Sequence, residues 1–244
     1  MRLSTVKTLM LMGGLTAMLP LQASVVITGT RVIYPASESE VTVKLFNDGK
    51  HPALVQAWID QGDPQTTPTN AKAPFTITPP IARMDPGKSQ TLRLSYTGEP
   101  LPTDRESVFY LNVLEVPPKP QAQAHGSNNW LQLAIRSRLK LFFRPDSLKN
   151  SVQDALPQLT WQLTREGGKP ALAVRNPSAY YVTLTDVELR GDGHTVSAKV
   201  DRMLAPGDQQ TLSLQGEPPA GAQVHLRAIS ELGGILEADR PLAP

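Results

Sequence analysis

Cysteine is absent from all 244 residues of the chain. The protein therefore has no disulfide, no thiol nucleophile and no cysteine ligand for a metal ion. The four histidines, His51, His125, His194 and His225, are scattered, and none forms the i, i+4 pair of a helical zinc motif. We therefore expect neither a metal site nor a cofactor.

Catalytic motifs are also missing. The chain has no G-x-S-x-G nucleophile elbow and no glycine-rich loop that would cradle a phosphate. Acidic neighbours such as Asp104 and Glu106 are more typical of a solvated or salt-bridged loop than of a glycosidase pair. Aromatic residues make up only 5% of the chain, which disfavours a carbohydrate-binding surface. We do not expect an enzyme.

The first 23 residues have the organisation of a secretory signal peptide. Arg2 and Lys7 precede an apolar stretch from Leu9 to Met18, and Ala23 is a plausible last residue before cleavage. A membrane anchor is the alternative, but the apolar run is too short to span a bilayer. We therefore expect an exported protein that does not span the membrane. Without residues 1–23 the basic and acidic residues are equal in number, which argues against nucleic-acid binding.

Long helical periodicity is missing as well, and 23 prolines lie in short turns between apolar runs. Such runs favour many short strands, and turn signals such as Asp192-Gly193 predict hairpins between them. The predicted strands of the first half are Ser24–Ile33, Glu40–Asn47, Ala53–Asp60, Phe75–Thr78, Ser89–Thr97, Val108–Val116 and Leu131–Phe143. Those of the second half are Gln158–Thr164, Ala171–Arg175, Tyr181–Leu189, Thr195–Val200, Gln210–Gln215, Val224–Ser230 and Ile235–Ala238.

An internal repeat divides the chain. The segment from Pro86 to Leu94 matches the segment from Pro206 to Leu214, and upstream the residues around Asn47 precede a strand much as those around Asn176 do. A shared turn-and-strand unit indicates two related domains, although similar Pro-Gly turns could coincide. About seven strands in each half are typical of an immunoglobulin-like sandwich. The sequence thus predicts an all-β fold of two tandem sandwiches, residues 24–145 and 146–244.

The run WLQLAIRSRLKLFFRP, residues 130–145, is one of the most regular period-two patterns of the chain. Leu131, Leu133 and Ile135 recur at every second position on one face, and the opposite face carries several cations, among them Lys140. Arg31 lies in the first predicted strand. Charges among apolar residues usually have a partner or a task, although both cations could simply reach solvent from an edge strand.

Four stretches together resemble the periplasmic pilus-assembly chaperones of the PapD-like family. They are Asp104–Asn112 followed by Pro117-Pro118, Thr78–Gly87, Ile135–Pro145, and Asn176–Thr183. The resemblance implies two immunoglobulin-like domains set at an angle, with a cleft between them. It implies a chaperone that binds pilin subunits in the periplasm, lends them a strand and delivers them to an outer-membrane usher.

The same resemblance implies roles for particular residues. Arg31 and Lys140 would bind the C-terminal carboxylate of the subunit. Leu131, Leu133 and Ile135 would be the alternating apolar residues of the donor strand. The charged cluster expected to bridge the domains is Glu106, Arg144 and Glu231. An apolar edge without a subunit also suggests a self-capping dimer.

Two other functions and one geometrical question stay open at this stage. The chain could be a fibre protein, a tandem-sandwich pilin or adhesin, or a secreted carbohydrate-binding or hydrolytic domain. Lys140 has the opposite parity to the donor residues. Either the cleft lies on the other face of the strand, or a bulge near Ser137–Lys140 turns it.

Overall fold

The computed structural model describes residues 24–118 and 132–243, so the expected signal peptide and Leu131 lie outside it. The fold is all β, as predicted. The strands of the first half are β1 Val25–Ile27, β2 Arg31–Pro35, β3 Val41–Asn47, β4 Ala53–Asp60, β5 Phe75–Thr78, β6 Ile81–Met84, β7 Ser89–Tyr96, β8 Ser107–Val116 and β9 Ile135–Arg144. The second half has β10 Thr160–Glu166, β11 Lys169–Arg175, β12 Leu184–Gly191, β13 His194–Ala198, β14 Gln209–Ser213, β15 Gln223–Ile229 and β16 Ile235–Pro241.

The first nine strands form two sheets, in the orders β1-β3-β7-β5 and β2-β9-β8-β4-β6. Alternate residues of facing strands, such as Leu45, Leu92 and Leu111, point between the sheets and are fully buried. Leu139 and Leu141 of β9 belong to this core. The inner face of β9 is thus fixed by its own sandwich.

The remaining strands form a second pair of sheets, in the orders β10-β11-β14 and β13-β12-β15-β16. Their core surrounds Trp161 and Leu226 and is separate from the first. A short helix α1, Val152–Ala155, and a 3₁₀ turn, Leu156–Gln158, precede β10 and pack on this core. The prediction of two sandwiches is confirmed, but this helical segment was not predicted.

The predicted first strand, Ser24–Ile33, is wrong because the structure has two strands there. β1 pairs with β3 in one sheet, and β2 pairs with β9 in the other. Gly29 lies in the crossing between them with φ at 89°, a conformation that glycine adopts without steric cost. Because β1 belongs to the opposite sheet, pairing of this segment with β9 begins only at Arg31, the first residue of β2.

The predicted strand Leu131–Phe143 is wrong at its beginning, since β9 starts at Ile135. Its partner β8 ends at Val116 and is followed by Pro117 and Pro118, which have no N–H to continue the ladder. Leu133 therefore lies just before the strand and is exposed.

The predicted repeat is confirmed in atomic detail. Asn47 and Asn176 each donate a side-chain amide hydrogen bond to a carbonyl shortly before a Pro-Gly turn, at 2.9 and 3.0 Å. Gly87 and Gly207 of these turns have φ of 68° and 75°, and each donates its N–H to the asparagine carbonyl at 2.8 Å. The two sandwiches thus share one buried device that fixes a turn against a strand end.

Two other local features differ in how well the sequence predicted them. The Asp192-Gly193 hairpin is confirmed, with both residues at positive φ between β12 and β13. Strand β6 was missed because Pro79-Pro80 and the charged residues around Ile81 obscure its alternation.

Candidate functional site

One edge of β9 is open. On one side, β8 pairs with every residue from Ile135 to Phe143. On the other side, β2 pairs only with Lys140–Arg144. Within the described residues, Ile135–Leu139 therefore have no strand beside them on that side. An unpaired strand edge is a template for the addition of another strand.

The register of β9 shows on which face of the strand Lys140 lies relative to the predicted donor residues. The β8–β9 register runs without a shift from Ile135 to Phe143, so no bulge turns the strand. Ile135 therefore lies on the same face as the core residue Leu139, whereas Lys140 and Phe142 lie on the outer face. The cleft is on this outer face, between the two sandwiches.

Arg31 and Lys140 lie side by side at the end of the open edge. They are partners in the parallel β2–β9 register, and both side chains point toward the second sandwich. Lys140 Nζ is 3.2 Å from Thr183 Oγ1, and Arg31 Nη1 is 3.4 Å from the carbonyl of Ile229. Buried Arg31 Nε has no hydrogen-bond partner in the described parts of the chain.

Burial acts against the charged forms of both side chains. Burial and the neighbouring charge of Arg31 lower the pKa of Lys140. Burial also lowers the pKa of Arg31, while the more distant carboxylates of Glu106 and Glu231 oppose that effect. Two partly desolvated cations with spare donors suit a carboxylate, which can accept charge-assisted hydrogen bonds from both.

The structure also brings together the predicted bridging cluster. Arg144, at the end of β9, lies 2.8 Å from Glu106 Oε1 and 2.5 Å from Glu231 Oε1. Glu106 Oε2 accepts a hydrogen bond of 2.9 Å from the backbone N–H of Tyr181. The backbone N–H of Glu106 donates to the carbonyl of Ala179 at 2.9 Å. These contacts hold the first sandwich against the second.

Burial and pairing compete in this cluster. Burial raises the pKa of Glu106, although hydrogen bonds from Tyr181 and Arg144 oppose the rise. Burial would lower the pKa of Arg144, but its hydrogen bonds to Glu231 and Glu106 outweigh that effect and raise it. The arginine is therefore held charged between two carboxylates. Its guanidinium also lies over the ring of Tyr180, 5.1 Å from the centroid.

A second network on the outer face of β9 was not predicted. Asp60 of β4 is buried, and its Oδ1 is 2.5 Å from Arg138 Nη2. Arg136 Nη2 is 2.6 Å from Asn112 Oδ1, and Asn112 Nδ2 donates to Asp60 Oδ2 at 2.7 Å. Burial would raise the pKa of Asp60, but hydrogen bonds from Arg138 and Asn112 lower it. The clue in the sequence is the i, i+2 pair of arginines on the basic face of β9.

This network anchors the part of β9 that has the open edge. The guanidinium of Arg136 lies 4.8 Å from the ring centroid of Trp58, and that of Arg138 lies 3.8 Å from the ring of Tyr110. The strand is therefore attached to β8 and β4 through its outer face. Its free side remains available for hydrogen bonds.

Residues 24–118 and 132–243 contain neither a metal-binding cluster nor a membrane-spanning helix. No group of three His, Asp or Glu side chains gathers there as a metal centre would require. Nor does any helix in this part of the chain combine the length and apolar character needed to cross a bilayer.

Comparison with known proteins follows the same division into two halves. Residues 24–149 match the family described as pili and flagellar-assembly chaperone, PapD N-terminal domain. Residues 154–239 match the family described as pili assembly chaperone PapD, C-terminal domain. Two immunoglobulin-like sandwiches in this order define a class of assembly chaperones. The chain belongs to the PapD family of pilus-assembly chaperones.

Individual relatives agree with the family. The chain is 43% identical over 223 residues to the probable fimbrial chaperone YadV of Escherichia coli (strain K12), with 90% of each chain covered. It is 49% identical over 219 residues to the chaperone protein FimB/FhaD of Bordetella pertussis, covering 88% of this chain and 86% of the relative.

Solved structures agree as well. The crystal structure of the YadV chaperone superposes with a TM-score of 0.76 at 40% identity, over 90% of this chain and 100% of that one. A structure of the Salmonella enterica SafA pilin in complex with the SafB chaperone matches with a TM-score of 0.76 at 29% identity, over 92% and 99% of the two chains.

Proposed function

We propose that the protein is a periplasmic chaperone that binds pilin subunits by lending them the open edge of β9. The observation that carries the proposal is the coincidence of two features. Residues Ile135–Leu139 have a free edge in the described structure, and the cations Arg31 and Lys140 lie where that edge ends. An edge alone would accept many strands, whereas an edge that ends in two cations selects a strand ending in a carboxylate.

The sheet geometry supports a parallel mode of addition. A strand whose C-terminal carboxylate lies at Lys140, and whose preceding residues run back along β9 toward Ile135, has the same direction as β9. β2 is also parallel to β9 and begins at Arg31. The subunit strand would therefore occupy the line of β2, with its C-terminus against the beginning of β2. The crossing of β1 to the other sheet leaves that position open.

Three apolar residues would enter the subunit. Leu133 is 43% exposed, and Ile135 is partly exposed on the same face of the chain, whereas Leu131 lies outside the described residues. An incomplete immunoglobulin-like subunit would bury these side chains in the groove left by its missing strand. Burial of each would contribute about 1.5–3 kcal/mol.

The other parts of the proposal concern organisation and partners. The chaperone would comprise domains 24–145 and 146–244, with Glu106, Arg144 and Glu231 holding their relative orientation. It would deliver its subunits to an outer-membrane usher. In the absence of a subunit, two copies could cover each other's exposed edges as a self-capping dimer. Its role would be binding without catalysis.

Coexpression tests the proposal. The chain is produced in the periplasm with a pilin encoded beside it, and soluble subunit is measured by copurification. We expect a one-to-one complex, which is lost in Arg31→Ala and Lys140→Ala. Lys44→Ala, which changes an exposed cation of β3, is the matched control and should retain it. Normal subunit yield from both cleft variants would exclude the site, and recovery of the chain in sheared surface fibres would favour a fibre protein.

A further inference from the structure

A buried carboxylate of the first sandwich, near the end of β8 and beside Ser24, has no cationic side chain as its partner within residues 24–118 and 132–243. Glu115, near the end of β8, is only 8% exposed. Its Oε1 lies 3.2 Å from the backbone nitrogen of Ser24 and also accepts the Ser24 hydroxyl, and its Oε2 accepts the N–H of Val25 at 3.0 Å. Burying a carboxylate is costly unless a positive charge or several donors compensate.

The position of Ser24 is determined by more than this carboxylate. The carbonyl of Ser24 accepts a hydrogen bond of 2.8 Å from the N–H of Asp48. A Cβ atom on Gly49 would lie 2.4 Å from Cβ of Ser24, so only glycine leaves space for the serine there. The backbone nitrogen of Ser24 is thereby held against Glu115 by the β3–β4 turn.

The charge on the backbone nitrogen of Ser24 depends on whether the signal peptide has been removed. Residues 1–23 have the organisation of a secretory signal, and Ala23 is the expected last residue of it. Before cleavage the nitrogen of Ser24 is a neutral amide. After cleavage it is an α-ammonium, whose ordinary pKa of about 7.7–8.0 makes it positively charged at neutral pH. Cleavage therefore creates a cation at the atom that already faces the buried carboxylate.

We propose that Glu115 is the binding site for the α-ammonium of Ser24, so that removal of the signal peptide completes an ion pair that the precursor cannot form. The pair fastens β1 to the end of β8. Glu115 is also the ladder partner of Ile135, the first residue of β9. Processing would thus stabilise the fold beside the beginning of the open edge. The inference depends on export and not on subunit binding, and its readout is folding stability.

The first measurement locates the mature terminus. The intact mass of protein recovered from the periplasm should correspond to a chain that begins at Ser24. A mature chain that begins at any other residue would place the ammonium elsewhere and overturn the proposal.

The second measurement isolates the charge. Chains that begin at Ser24 are prepared with a free or an enzymatically acetylated α-amine, and urea unfolding is followed at pH 6.5. Acetylation removes the charge but keeps an N–H donor. In the Glu115 chain we expect acetylation to lower the folding equilibrium constant about tenfold, as for loss of one charge-assisted hydrogen bond. In Glu115→Gln the same acetylation should change it less than twofold.

Glu217→Gln is the matched control, because Glu217 is exposed and distant in sequence. Acetylation should cost this variant as much as the unaltered chain. If Glu115→Gln does not fold, the comparison of Glu217→Gln and unaltered chains still decides, since no cost of acetylation in either overturns the proposal. Equal cost of acetylation with Glu115 and with Gln at position 115 would also overturn it.

Discussion

Replacement of Lys140 by methionine should weaken subunit binding without weakening the fold. Methionine keeps an unbranched apolar stem and removes the charge beside Arg31. The described contact that is lost is one hydrogen bond to Thr183 Oγ1, at 3.2 Å. Burial and the neighbouring charge of Arg31 both disfavour the charged form of Lys140, and relief of these two effects should offset the lost hydrogen bond. The free protein should therefore be as stable as before, within about 0.5 kcal/mol, or more stable.

The effect on binding should be much larger. A hydrogen bond to a charged group contributes about 1.5–3 kcal/mol. At about 1.4 kcal/mol for each factor of ten, Lys140→Met should raise the dissociation constant about 10- to 150-fold. The assay is fluorescence anisotropy with a labelled peptide that carries the last residues of a pilin. A peptide ending in an amide should bind the unaltered protein with at least a similar loss. In Lys140→Met the same exchange of acid for amide should cost less affinity, since only Arg31 remains to bind the carboxylate.

The pH dependence of stability tests independently whether the charge of Lys140 destabilises the folded protein. The pKa of Lys140 is lowered from 10.5 in the folded protein, so the unfolded chain binds more protons just below that pH. The stability of the unaltered protein should therefore include a gain as pH rises through the folded-state pKa toward 10.5, and Lys140→Met should lack that gain. Equal affinity for the acid and amide peptides, or a loss of stability as large as the loss of binding, would refute the reasoning.

Three further substitutions test other parts of the site. Arg144→Met should lower the free energy of unfolding in urea by about 3–5 kcal/mol, because it leaves buried Glu106 without its cation; a loss below 1 kcal/mol would contradict this. Asp60→Asn should cost about 1–3 kcal/mol at pH 7. Since the folded-state pKa of Asp60 lies below 3.8, that difference should disappear as pH falls through the folded-state value. Leu133→Ser should reduce subunit copurification with unchanged thermal stability, whereas Leu163→Ser, a similarly exposed leucine on β10, should leave the yield unaltered.

Much of the fold was predictable because its signals are local. Alternation placed β4 and β5 at their observed bounds, and the Asn-and-Pro-Gly repeat predicted two related sandwiches. The crossing at Gly29 was not predictable, because β1 and β2 continue one apolar pattern while belonging to different sheets. A pattern of period two gives the faces of a strand but not the sheet that it joins.

The site shows the same division. Resemblance to the family identified Arg31, Lys140 and the bridging cluster from the sequence. The structure places the members of each set together. The resemblance did not identify Asp60, because the role of Asp60 depends on its contact with Arg138 of β9, 78 residues away in the sequence. Whether Leu133 and Ile135 enter a subunit stays a prediction, since only the bound state would bury them.

The position of the cations makes a final prediction about the subunit. Lys140 lies five residues beyond Ile135, about 16 Å along an extended strand at about 3.3 Å per residue. A subunit strand anchored by its carboxylate at Lys140 therefore has a fixed register against the donor residues. Adding one residue to the C-terminus of the subunit would turn its apolar side chains to the wrong face if the carboxylate stayed in place. The extended subunit must give up one contact or the other.

Giving up the carboxylate contact is the less costly choice, because several apolar side chains together outweigh one or two charge-assisted hydrogen bonds. A subunit extended by one residue should then bind the unaltered chaperone about 10- to 150-fold more weakly, the same loss as for the amide-ended peptide. It should bind Lys140→Met with a smaller additional loss, since only the contact of the carboxylate with Arg31 is then left to lose. Additive losses in the Lys140→Met background would show that register is set elsewhere, and that the cations at the end of β9 do not align the strand they receive.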